Sequence, residues 1–104
     1  MNHNTIISWI FLSTAFASEQ EPANYESISQ IADGINHAVP THKELQTSLS
    51  WLTRNELLEK SGKKYQLTKE GIETIAKAKK RTNNIILNIW DELTKEIKKR
   101  KPNK

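Results

Sequence analysis

The stretch from Thr41 to Gly71 constrains this chain more than any other. Pro40 ends whatever precedes it. Thr41 supplies an N-cap hydroxyl, and Glu44, three residues on, completes a Thr-x-x-Glu capping box. Leu45, Leu49 and Leu52 follow at spacings of four and three, so one stripe of a helix over about residues 42–55 is apolar. Lys43, Thr47, Ser50 and Arg54 occupy the opposite face, within a sector of roughly 60° at about 100° per residue. Trp51 lies on one flank of that face and Gln46 on the other, with His42 at the helix start. A short apolar run, Leu57-Leu58, then leads to the turn dipeptide Ser61-Gly62 and to Lys63-Lys64. Tyr65 and Leu67 alternate with polar Gln66, as in a half-buried strand. A two-stranded hairpin over about residues 57–68, with a cationic tip, is predicted. Thr68 closes it and can cap a further helix from Lys69.

The preceding segment supplies a second helix. Asn24 can cap a helix running to about Asn36, with Ile28, Ile31, Ala32 and Ile35 on its core stripe. Gly34 weakens it slightly near its end. His37-Ala38-Val39-Pro40 then makes a short connection into the capped helix. Helix, short turn, helix with a polar outer face is the helix-turn-helix unit. Donors, hydroxyls and cations on that outer face are the groups that reach phosphates and base edges.

The residues from Leu52 onward carry a family resemblance. Leu52-Thr53-Arg54-Asn55-Glu56-Leu57-Leu58, the Ser61-Gly62-Lys63-Lys64 tip and the run Tyr65-Gln66-Leu67-Thr68-Lys69-Glu70-Gly71 resemble winged helix-turn-helix transcriptional regulators of the PadR and MarR type. Those families show a leucine, three mostly polar residues, a glycine and two apolar residues, then a wing, then Tyr-x-Leu-Thr-x-x-Gly. Glu56 stands where the glycine is usual. A left-handed turn is costly for Glu, and Asn55 can adopt it more readily. The resemblance covers roughly the middle half of the chain. It implies a mainly α fold with a small β-hairpin wing (α+β), extended by N- and C-terminal helices. It also implies a recognition helix in the major groove of double-stranded DNA, with His42, Lys43, Gln46, Thr47, Ser50, Trp51 and Arg54 at the bases and phosphates. Lys63 and Lys64 of the wing, with Lys60 nearby, would grip the flanking backbone or minor groove.

Charge is uneven along the chain. Residues 1–42 hold Glu19, Glu21, Glu26 and Asp33 and neither Lys nor Arg, a net of −4. Residues 43–104 hold all 16 Lys and Arg against eight acids, a net of +8, and the whole chain is +4. A field of that shape steers polyanions, although lysines also simply solvate a surface. With 104 residues the chain is expected to be one domain: an N-terminal helix over 1–20, the helix-turn-helix and wing over 24–68, a helical region over 69–100 and a tail over 101–104. The run from Lys98 to Lys104 is expected to be a solvated charged terminus, disordered at its end over 101–104, with added phosphate contacts as the alternative. There is no cysteine, hence no disulfide framework and no thiolate site.

Residues Ile6 to Ala17 are mostly apolar, and Ala15-Phe16-Ala17 resembles a signal-peptidase site. Against processing, the segment before the apolar run has no Lys or Arg, and the run is too short to span a bilayer. The expected chain is cytoplasmic, with no membrane association. Ile6, Ile7, Ile10, Phe11, Leu12 and Phe16 leave this helix little polar face, so it must be buried on more than one side. In the C-terminal third Ile72, Ile75 and Ala76 are expected to face the core, and Ile86, Ile89, Trp90, Leu93 and Ile97 form a second stripe. A single helix from Lys69 to Arg100 would be about 48 Å long. Alternatively Thr82-Asn83-Asn84 breaks it, and the second part folds back on the N-terminal helix. A homodimer through Ile6, Ile10, Phe16, Ile86, Trp90, Leu93 and Ile97 is expected, against the simpler reading that the stripe completes a monomeric core.

Catalysis finds no support. His3, His37 and His42 lack metal-ligand spacing with acids, and no nucleophile elbow, phosphate-binding glycine loop or paired carboxylates appear. The expected protein is a DNA-binding regulator without cofactor, metal or enzymatic activity, and the residues do not say whether a small effector binds. The competing reading is a winged-helix module that binds protein and touches no DNA.

Overall fold

A computed structural model describes residues 2–100. Five helices and one antiparallel hairpin follow in the order α1 (His3–Ala17), α2 (Tyr25–Asn36), α3 (His42–Arg54), β1 (Leu58–Ser61), β2 (Lys64–Leu67), α4 (Lys69–Lys80) and α5 (Ile86–Arg100). The expectation that the tail over 101–104 is disordered lies outside the described residues.

α1 is the axis of the molecule. The side chains from Ile7 to Thr14 are all buried, and α2, α3, α4, α5 and β2 pack around them. Such a helix must satisfy its own polar groups, because no water reaches them. Ser13 and Thr14 donate their hydroxyls back to the carbonyls of Trp9 (2.7 Å) and Ile10 (2.8 Å). Trp9 donates its indole N–H to the Ala32 carbonyl of α2 at 3.0 Å.

The break after α4 occurs in the region expected. α4 ends at Lys80, Asn84 takes a left-handed φ of 66°, and α5 returns to lie along α1. Trp90 stacks on Trp9 with ring centroids 6.1 Å apart and donates to the Thr5 carbonyl at 3.0 Å. One turn on, the hydroxyls of Ser8 and Thr94 lie 2.7 Å apart. This closure corrects the choice of Ile10, Trp90, Leu93 and Ile97 as dimer-interface residues. Ile10, Leu93 and Ile97 have no exposed surface, and Trp90 keeps 9%. The single chain covers the stripe that was to meet a second copy. Ile6 and Phe16 are half-buried against the same core, and Ile86 alone of the seven stands exposed. Ile72 and Ala76 are a further correction. Both are exposed, because α4 turns Ile75 and Ala78 inward instead.

Local caps behave as their residues dictate. Asn24, Thr41 and Thr68 each accept a backbone N–H at the third helical position, and the Thr41–Glu44 capping box is complete. The hairpin pairs Ser61 with Lys64 across Gly62-Lys63, and of these two central residues only Gly62 has positive φ, the pattern of a type II′ turn. Ala23 adds one rung on the outer edge of β2, exchanging two 2.8 Å hydrogen bonds with Tyr65.

The exit of α3 differs from expectation. Glu56, not Asn55, takes the left-handed conformation (φ 63°), while Asn55 keeps φ −92°. The Leu57 N–H reaches the Leu52 carbonyl at 3.0 Å and the Glu56 N–H reaches Thr53 at 3.1 Å, which is a Schellman cap. The register of that cap puts the positive φ one residue beyond Asn55. Asn55 instead donates its side-chain amide to the Trp51 carbonyl at 2.9 Å.

Gly71 explains the Thr-x-x-Gly run. A Cβ there would lie 2.1 Å from the Leu57 carbonyl oxygen, so only glycine lets the first turn of α4 press against the backbone entering β1.

Candidate nucleic-acid interface

α3 divides cleanly between core and solvent. Leu45, Ser48, Leu49 and Leu52 are buried, whereas His42, Lys43, Gln46, Thr47, Ser50 and Arg54 are exposed. Trp51 is the correction on this helix. It is 8% exposed and belongs to the core cluster, so it offers no surface to a ligand on the outer face.

Lys60, Lys63 and Lys64 are exposed on the hairpin, but they do not act as one group. Cross-strand partners share a face. Lys60 pairs with Tyr65, whose ring it overlies at 5.6 Å, and that face turns toward the body of the molecule. Lys63 shares a cleft with Tyr25 and Lys60. Lys64 pairs with Ser61 on the other face, beside Glu59 and Gln66, which are joined by a 2.6 Å hydrogen bond.

Among the described residues Lys43, Arg54, Lys60, Lys63 and Lys64 form no ion pair within 4 Å. Glu44 spends a carboxylate oxygen on the Thr41 N–H at 2.9 Å. Lysines with free ammonium groups are suited to phosphate, and an arginine fork to phosphate or guanine.

Tyr25 is the residue that sequence reasoning missed. Its ring meets His42 at 5.7 Å and stacks on Tyr65 at 6.2 Å, so it joins the first turn of α3 to the hairpin. Burial, then the Tyr65 phenol, push its own phenol above the usual tyrosine range, with Lys60 opposing. Only its place just after the Asn24 cap was visible in the sequence; contacts 17 and 40 residues away leave no local signal.

Among the described residues no group of His, Asp and Glu could hold a metal ion, and no helix is long and apolar enough to cross a membrane. Comparison with protein-family models, with curated proteins and with solved structures finds no match.

Proposed function

We propose that this chain is a winged helix-turn-helix DNA-binding regulator acting in the cytoplasm, with α3 in the major groove and the hairpin as the wing. The observation that carries the reading is that Lys43, Arg54, Lys60 and Lys63 form no ion pair among the described residues, the first two on a helix whose other side is committed to the core. The order of elements also supports it: a helix, a single strand rung at Ala23, two helices and a hairpin whose second strand receives that rung. In this reading Lys43, Thr47, Ser50 and Arg54 face bases and phosphates, His42 and Gln46 lie at the edge, and Lys60 and Lys63 point along the same side. Trp51 drops out. The reading assigns no catalytic step. A second copy, where one binds, has its apolar grip at Ile85, Ile86 and Leu87, which are 52%, 42% and 58% exposed.

The test is duplex binding across a salt series with Arg54→Ala and Lys63→Ala beside the parent. Each lost phosphate contact should lower the salt slope by about one unit, and losing a bidentate Arg54–guanine contact should cost about 1–3 kcal/mol and relax specificity. No binding by the parent at low salt would sink the reading. A protein-binding module is the second reading, favoured by Val39, 68% exposed in the α2–α3 turn, and by the acids Glu44, Glu56 and Glu59 among the cations. It is distinguished by a complex that resists salt and contains no nucleic acid.

A further inference from the structure

We propose that the groove between α1, β2 and α4 is a binding site for an apolar monocarboxylate, a fatty-acid-like molecule whose head is held by Lys79. The groove is half open to solvent and offers about 390 Å³, within the size range of small-molecule pockets. Leu12 and Ile75 form its buried floor, and Phe16, Leu67 and Ile72 form its walls. These walls are mostly branched aliphatic side chains, which suit a hydrocarbon chain better than a sugar or a nucleobase. Ile72 is 58% exposed on the rim, an apolar surface that the described residues leave uncovered.

The charge at the mouth selects the head group. The Lys79 ammonium lies 5.9 Å from the Phe16 ring centroid, and no carboxylate among the described residues comes within 4 Å of it. The other polar groups of the lining include Gln66, whose amide is spent on Glu59, and Glu19. Glu19 repels an anion, so the ligand carboxylate sits at Lys79 and the chain runs over Leu67 and Ile72. This assignment does not depend on DNA binding.

The full chain is titrated with sodium decanoate below its micelle concentration, read by thermal unfolding and by NMR shifts of Leu67, Ile72 and Ala76. Saturable binding at those residues is expected. Lys79→Ala should weaken it about tenfold or more, as for a lost charge-assisted hydrogen bond. Glu19→Gln should tighten it about two- to threefold, the scale of an exposed charge pair. Decanol should bind more weakly, and decyltrimethylammonium should not bind at this groove. Absence of saturable decanoate binding, equal binding of decanol, or parent-like binding by a folded Lys79→Ala chain would overturn the assignment. So would NMR shifts that fall on Ile85–Leu87 in place of the groove.

Discussion

Replacing Glu56 with glycine should stabilise this protein. Glu56 holds φ at 63°, a conformation that costs an L-residue about 1–2 kcal/mol. Glycine removes that strain and gives back about 0.5–1 kcal/mol through the freedom of the unfolded chain, a net gain of roughly 0.5–1 kcal/mol. Nothing else is lost. The side chain makes no hydrogen bond or ion pair among the described residues. The contacts that matter are backbone groups, the N–H to Thr53 at 3.1 Å and the carbonyl accepting from the Thr68 hydroxyl at 2.6 Å. For a domain of this size the gain corresponds to a rise in Tm of about 2–8 °C. Thermal and urea unfolding followed by circular dichroism would measure it, with an unchanged urea slope showing that the denatured state is not altered. Glu56→Gln is the control, because it removes the charge and keeps the strain. If Glu56→Gln gained as much as Glu56→Gly, charge repulsion and not backbone geometry would be the cause. If glycine gave no gain, the left-handed turn would lie elsewhere.

Gly71→Ala should cost about 1–3 kcal/mol or more, because its Cβ collides with the Leu57 carbonyl and α4 must move off the hairpin; urea unfolding within 0.5 kcal/mol of the parent, about the scatter of surface substitutions, would refute that close approach. The raised Tyr25 phenol makes an alkaline prediction. The folded chain keeps this proton to higher pH than the unfolded chain, so the stability tied to it is present in full below the ordinary value near 10 and is lost as pH rises through the raised value. Tyr25→Phe should therefore lose less stability than the parent between pH 9 and pH 12, with ultraviolet titration locating the late phenol; identical alkaline losses would sink the claim.

Local chemistry was readable wherever neighbours in sequence determine it. The Asn24, Thr41 and Thr68 caps, the Ser61-Gly62 turn and the solvent face of α3 all depend on residues within a turn or two of each other. What failed to read depends on distant partners. The periodicity of α5 marks Trp90, Leu93 and Ile97 as apolar but does not say whether α1 of the same chain or a second copy covers them. Trp51 flanks the polar face by angle and is drawn inside by packing. Ile72 shares the helical stripe of Ile75, yet α4 is rotated so that Ile75 and Ala78 take the core. In the α3 cap, Asn55 is the better left-handed residue, but the register set by the Leu57–Leu52 hydrogen bond places that conformation on Glu56.

The pairing of α1 with α5 has a consequence for how the molecule is made. Ser8 and Thr94 are 86 residues apart in sequence, as Thr5 and Trp90 are 85. On the ribosome α1 emerges long before α5, and until α5 arrives Trp9 and its apolar neighbours lack part of their cover. Contacts so remote in sequence form only after the intervening chain has been organised. The nascent chain therefore passes through a period in which its stickiest helix is partly bare, the interval when a chaperone would find it and when aggregation competes with folding. Docking of α5 ends that exposure.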